Sequence, residues 1–184
     1  MSINLDELKR RMQKAIESLK HEFSGLRTGR ASTALLDHIK VEAYGADMPL
    51  NQVASISAPE PRMLHVSVWD KGLAGAVDKA IRESGLGLNP ITEGSSIRIP
   101  MPQLSEERRK ELTKVAAKAS EDAKIAIRNI RRDGNDQVKK AEKDKTIGED
   151  EAHGLNDKVQ KLTDEYVGIV DKELEAKTKD IMTV

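Results

Sequence analysis

Residues 105–145 read SEERRKELTKVAAKASEDAKIAIRNIRRDGNDQVKKAEKDK, and the spacing within them decides the architecture. Leu112, Val115, Ala116, Ala119, Ala123, Ala126, Ile127, Ile130, Gly134, Val138 and Ala141 recur at intervals of three and four, the signature of one buried helix face. Ser105 is placed to cap this helix, Glu106 and Glu107 suit its positive N-terminus, and Pro100 and Pro102 keep the preceding chain out of helix. Run to Lys145 at 1.5 Å per residue, the helix is about 60 Å long, more than a compact domain's usual width. The remaining face is cationic: Lys124, Arg128, Arg131, Arg132, Asn135 and Lys139 share it. Three arginines stand within five positions, and no Glu lies four residues before or after any of them. Such a face lacks the alternating pairs that stabilise a solvated helix. Crowded guanidinium groups repel, so an anionic partner that planar, bidentate forks can grip explains it best.

Working outward, the same spacing recurs in Leu5, Leu8, Met12, Ala15, Ile16, Leu19, Phe23 and Leu26. It predicts a helix from Ser2 or Asn4 to Arg27-Thr28-Gly29, where glycine suits the position past a helix end. After Thr146-Ile147-Gly148, the acids Glu149, Asp150 and Glu151 open a third helix striped by Leu155, Val159, Leu162, Tyr166, Ile169, Val170, Leu174 and Ile181. None of the three can bury its stripe alone, which implies an elongated antiparallel three-helix bundle. Gly134 is worse than alanine in a helix interior by about 1 kcal/mol, so close helix approach is expected there.

Between Ala31 and Leu104 the period shifts towards two, and proline, glycine and β-branched residues cluster. Ile39, Val41 and Ala43 alternate with Lys40, Glu42 and Tyr44 as in a half-buried strand, followed by a turn over Gly45-Ala46-Asp47-Met48-Pro49. Val53 to Ala58 and Met63 to Trp69 read as strands separated by Pro59-Glu60-Pro61, and Ser96 to Ile99 as a last strand. Asp70 caps a short helix with Leu73, Ala76, Val77, Ala80 and Ile81 inward and Gly85 closing it. The fold class is therefore α+β with two domains: residues 1–29 with 105–184 form the bundle, and 31–103 form an inserted small α/β domain, sandwich-like in β/α/β order. The chain crosses twice, through Gly29, Arg30 and Ala31 and through Pro102, Gln103 and Leu104, and two crossings at one boundary suit a hinge.

Composition excludes more than it identifies. The 184 residues carry 31 basic and 31 acidic side chains, yet residues 108–145 hold thirteen bases against seven acids while 149–180 hold five against ten. Charge divided in this way suits contact with RNA through one surface without adhesion to every polyanion. There is no cysteine for a disulfide or thiolate zinc site, and His21, His38, His65 and His153 fall at no ligand spacing, so neither metal nor cofactor is expected. Gly85-Leu86-Gly87-Leu88-Asn89-Pro90 lacks the Lys and Ser/Thr of a phosphate-binding loop, and no nucleophile, acid/base or metal constellation points to an enzyme. With no leader pattern and no apolar run long enough to cross a bilayer, the expectation is a cytoplasmic protein without a membrane partner.

Phe23, Tyr44, Trp69 and Tyr166 all fall where the apolar pattern or the strand reading already wants a large side chain, which disfavours base stacking and leaves contact with folded RNA through phosphates. The competing reading is a helical adaptor whose arginines engage an acidic protein. It predicts an exposed apolar stripe and self-association, whereas the RNA reading predicts a monomer with its stripes internal.

Five separated segments then carry a family resemblance: Leu26-Arg27-Thr28-Gly29-Arg30-Ala31-Ser32; Tyr44-Gly45 with Pro49-Leu50; Gly87-Leu88-Asn89-Pro90; Ser105-Glu106-Glu107-Arg108-Arg109-Lys110; and Arg128-Asn129-Ile130-Arg131-Arg132. In joint order and total length the chain resembles bacterial ribosome recycling factor. Asp47 stands where that family often has proline, and Gln103 where it often has an apolar residue or proline. The resemblance implies an L-shaped molecule whose bundle has the dimensions of a tRNA arm, with the α/β domain swinging on the hinge. It also implies partners: the ribosome, contacted through large-subunit ribosomal RNA after termination, and elongation factor G, which with GTP drives subunit separation and frees messenger and tRNA. The factor itself hydrolyses nothing. RNA contacts carry over to Arg128, Arg131 and Arg132, and to Arg27, Arg30, Arg108 and Arg109, with Lys124 joining from its place on the same helix face. Arg27 and Arg30 equally suit a structural role, since the helix dipole favours arginine near a C-terminus.

Overall fold

The computed structural model describes residues 3–183. In chain order the elements are α1 (Leu5–Ser24), β1 (Lys40–Ala43), β2 (Ala46–Pro49), β3 (Ala54–Glu60), β4 (Met63–Val68), α2 (Ala74–Arg82), β5 (Ile91–Glu93), β6 (Ser96–Pro100), α3 (Glu106–Lys143) and α4 (Glu149–Met182), with short 3₁₀ turns at Thr33–Leu36, Leu50–Gln52 and Lys71–Leu73. The chain divides into two compact units, Met1–Phe23 with Thr113–Thr178 and Ser24–Leu112 with Lys179–Val184. The first is a long helical bundle and the second a small domain built on antiparallel sheets.

In the bundle, α1 buries Leu8, Met12, Ile16, Leu19 and Phe23, α3 buries Ala116, Ala123, Ile127, Ile130 and Val138, and α4 buries Val159, Tyr166 and Val170. Directions follow from the cross-links. Arg11 of α1 pairs with Asp133 of α3 at 2.7 Å, whereas Leu19 and Glu22 line one groove with Ala119 and Ala123, so α1 and α3 run antiparallel. Lys124 of α3 pairs with Asp171 of α4, and Gly134 meets Val159, so α3 and α4 are antiparallel too. A Cβ on Gly134 would lie 2.7 Å from Leu8 Cδ1 and 3.4 Å from Val159 Cγ1, so all three helices meet at this glycine. Val115, expected in the stripe, is half exposed at its edge.

Helix ends follow local chemistry. Asn4 Oδ1 accepts from the Glu7 amide at 3.1 Å and Ser105 Oγ from the Arg108 amide at 3.1 Å, each meeting an N-terminal donor that helix geometry leaves orphaned. The first helix stops at Ser24, immediately before Gly25, and not at the Gly29 expected from sequence. At the end of α3 the Thr146 amide reaches back to Ala141 O and the Lys145 amide to Glu142 O, both at 3.0 Å, with Lys145 at φ 59. This is a Schellman closure with lysine in the left-handed position that glycine usually holds.

In the sheet unit, the antiparallel order is β3-β4-β6-β5, with β1-β2 as a separate hairpin and α2 packed on β1 and β6. Alternation sets the buried side: Leu64, Val66 and Val68 of β4 and Ile97 and Ile99 of β6 point into a core shared with Val41, Leu50, Val77 and Ile81. Ala43 faces Ala46 across a two-residue turn of Tyr44 (φ 52) and Gly45 (φ 81), so residues 46–49 are a strand and not the open turn expected. Strand β3 also runs through Pro59 to Glu60, accommodated by a shift in register between Ser57 and Glu60. Asp70 caps the 3₁₀ turn Lys71–Leu73, its Oδ1 accepting from the Gly72 amide at 2.9 Å, and not α2 itself, which begins behind Leu73 without a side-chain cap.

Candidate nucleic-acid interface

The cationic face of α3 exists because the opposite face is committed to the core: with Ala123, Ile127, Ile130, Gly134 and Val138 inward, Arg128, Arg132 and Lys139 are carried outward. The structure sorts this face into two kinds of cation. Lys124 stands at the edge of the buried stripe, its side chain 18% exposed and tied to Asp171 of α4. Arg128 reaches Glu121 two turns away at 3.4 Å. Arg132 donates only to Asn129 Oδ1, at 3.3 Å, and neither it, Arg131 nor Lys139 has an ion-pair partner among the described residues. Arg131, half-buried, and exposed Arg132 and Lys139 therefore form the uncompensated part of the ridge. Their charges have no ion-pair partner among the described residues and are mounted on a backbone stiffened by core packing, which suits them to phosphate oxygens.

The other arginines read from the sequence lie in the sheet unit, in differing surroundings. Arg108 is exposed and pairs with Glu111 at 2.8 Å. Arg109 is only 8% exposed, with its Nε lacking a hydrogen-bond partner, so the expected surface cation is an interior one. Its spacing explains this: Arg109 precedes Leu112 and Ala116 by three and seven residues and so lies on their buried face. Arg27 donates from Nη2 to Pro102 O, tying one chain crossing to the other, and its Nε is buried without a partner. Burial, and then the like charge of Arg108, pull the Arg27 guanidinium below its ordinary range. Arg30 is exposed. The expected hinge residues are closely held: a Cβ on Gly29 would lie 2.7 Å from Thr183 O, the Ala31 amide donates to Pro61 O at 2.7 Å, and Leu104 is buried, whereas Gln103 is exposed.

Two aromatic side chains depart from expectation. Phe23 and Tyr166 are buried, but Tyr44 is 75% and Trp69 66% exposed. The Tyr44 hydroxyl donates to Asp70 Oδ2 at 2.8 Å, which holds the Asp70 carboxyl below and the Tyr44 phenol above their usual ranges. Tyr44 follows the alternation that sets it with Lys40 and Glu42, on the side away from Val41 and Ala43. Among the described residues there is no cluster of three or more metal-capable side chains and no helix long and apolar enough to cross a membrane.

Comparison with known proteins bears on what such a surface serves. A family model described as ribosome recycling factor matches residues 19–182. The chain is 61% identical over 180 residues to the ribosome-recycling factor of Bartonella henselae, covering 98% of this chain and 97% of the relative. It is 57% identical over 183 residues to that of Brucella ovis, covering 100% and 98%. Among solved structures, a solution structure of the ribosome recycling factor matches with a TM-score of 0.77 and 44% identity over 97% of this chain and 95% of the other. Models for the T. thermophilus ribosome recycling factor and the E. coli elongation factor G bound to the E. coli post-termination complex match with a TM-score of 0.68 and 46% identity over 97% and 96%. These relatives are translation factors and not enzymes. Sequence identity this high over nearly the whole length goes well beyond a shared fold, and the chain belongs to the ribosome recycling factor family.

Proposed function

We propose that this protein occupies the ribosome after termination, grips large-subunit ribosomal RNA through Arg128, Arg131 and Arg132, and with elongation factor G and GTP brings about separation of the subunits and release of messenger and tRNA. It works in the cytoplasm as a monomer and hydrolyses nothing itself. Arg30 and Arg108 supply further RNA contacts from the sheet domain, whereas Lys124, held by Asp171, Arg27, held by Pro102 O, and buried Arg109 serve structural roles each within its own unit. The moving parts are the bundle (1–29 with 105–184) and the inserted domain (31–103), joined by Gly29, Arg30 and Ala31 and by Pro102, Gln103 and Leu104.

The observation that carries this reading is the uncompensated pair Arg131 and Arg132 on a rigid helix, in a chain matched nearly end to end by recycling factors. Arg131→Ala is expected to weaken binding to the large subunit by about 1–3 kcal/mol without unfolding the chain. The direct test is sedimentation of post-termination ribosomes with this protein, elongation factor G and GTP: split subunits support the proposal, and intact ribosomes under conditions where a known recycling factor splits them refute it. The adaptor reading has less to rest on, because Val115 and Ile125, the exposed large apolar residues of α3, stand singly ten residues apart and form no stripe.

A further inference from the structure

Within the sheet unit, three segments far apart in sequence meet around an open cleft of roughly 500 Å³: Thr28, Gly29 and Arg30; Pro61 and Arg62 of the β3–β4 turn; and Lys179, Asp180 and Thr183. Backbone contacts, and not the charged side chains, hold the walls in place. Ala31 N–H donates to Pro61 O at 2.7 Å, and Gly29 packs so closely on Thr183 O that a Cβ would come within 2.7 Å of it. On this frame stand Arg30, Arg62 and Lys179 with Asp180 as the sole carboxylate lining the cleft, three positive charges against one negative. None of the three cations has an ion-pair partner among the described residues. Three cations gathered around one cleft with a single carboxylate among them leave an attraction for an anion unused.

We propose that this cleft seats a phosphate of an RNA backbone, with Arg62 and Lys179 as contact residues beside Arg30; the inference rests on the ribosomal RNA reading. A small free anion fits the site poorly, because small-ligand pockets bury most of their occupant whereas all three of these cations are exposed. Exposed cations around an open cleft suit a chain that passes through and presents phosphates in succession. Asp180 would then tune the affinity downward, limiting adhesion to other polyanions.

The test is binding of the full-length protein to isolated large ribosomal subunits across a salt series, with Arg131→Ala run in parallel. Arg62→Ala combined with Lys179→Ala changes exposed side chains and leaves the backbone contacts intact. It should weaken binding about tenfold or more and make the slope of log affinity against log salt shallower by about one to two. Asp180→Asn should tighten binding. If the double variant and Asp180→Asn keep wild-type affinity and slope while Arg131→Ala weakens binding, the cleft is not a phosphate site and the functional reading stands. A weakened double variant with an unchanged slope also overturns the cleft, since loss without counterion release is structural. If the wild-type chain does not bind the subunit, both readings fall.

Discussion

Gly134→Ala pits two magnitudes against each other at one position. In a helix interior alanine is favoured over glycine by about 1 kcal/mol, so an unconstrained site would gain that much. At Gly134 the new methyl would sit 2.7 Å from Leu8 Cδ1 and about 3.4 Å from Val159, and Leu8 is itself 1% exposed. Forcing a methyl into a packed core costs about 1–3 kcal/mol, so the net expectation is a loss of roughly 0–2 kcal/mol. Leu8→Ala alone should cost about 2–5 kcal/mol by opening a cavity. The two together should cost less than their sum by at least about 1 kcal/mol, because the methyl added at position 134 then enters the space that the leucine leaves. Urea unfolding followed by helical circular dichroism reports chiefly on the bundle, where the three longest helices lie. A Gly134→Ala variant that gains the full helix-propensity term, with additive behaviour in the double variant, would refute the claim that three helices close on this residue.

Lys145 holds the left-handed position that closes α3 (φ 59), so Lys145→Gly should raise bundle stability by roughly 0.5–1 kcal/mol, and a loss in urea unfolding would count against strain there. Because its folded pKa is depressed, the Asp70 carboxylate contributes stability that is present above its unfolded pKa and lost as pH falls through the lower, folded value. Tyr44, raised by the same bond, gives the opposite sign: its contribution is present below the free phenol's pKa and lost as pH rises through the folded one. Tyr44→Phe should therefore move the Asp70 carboxyl titration, followed by carbon NMR, up towards the ordinary range, and an unmoved titration would show that the hydrogen bond does not form in solution.

The bundle was legible because three- and four-residue spacing over tens of residues leaves one way to bury each stripe, and because Ser105 and the acidic first turns mark where helices begin. Ends were harder to place. Leu26 continued the apparent stripe past Gly25, but the last buried contact of α1 is Phe23, and the chain leaves the helix at the first glycine after it. The β1–β2 hairpin is hidden in the sequence because its tyrosine adopts a positive φ that bulky residues rarely take, so Tyr44-Gly45 carries a weaker turn signal than Asn-Gly would. Tyr44 and Trp69 look like core residues by type, yet both face outward, and for Tyr44 the alternation with Lys40 and Glu42 already marks the solvent side. Arg109 was the reverse case: its charge suggested the surface, while its spacing from Leu112 and Ala116 already placed it on the buried face. The cleft of Arg30, Arg62 and Lys179 was beyond any sequence pattern, since it joins residues more than a hundred positions apart.

On α3 the same distinction between type and surroundings yields a further test. Sequence spacing groups Lys124 with the arginines of the ridge, but the structure gives it an acidic partner on another helix and gives Arg132 none among the described residues. A cation already neutralised within the protein releases few counterions on docking, because it must first give up its carboxylate, whereas an uncompensated one exchanges its solvent shell directly for a phosphate. Each phosphate newly neutralised steepens the log–log salt dependence by about 0.7–0.9. Removing charge at Arg132 with Arg132→Met should therefore make the slope of large-subunit binding shallower by roughly that amount, whereas Lys124→Met should leave it nearly unchanged and instead loosen the bundle slightly. Equal slope changes for the two would mean that Asp171 yields Lys124 to the RNA, and the ridge would then have to be counted from helical spacing and not from internal ion pairing.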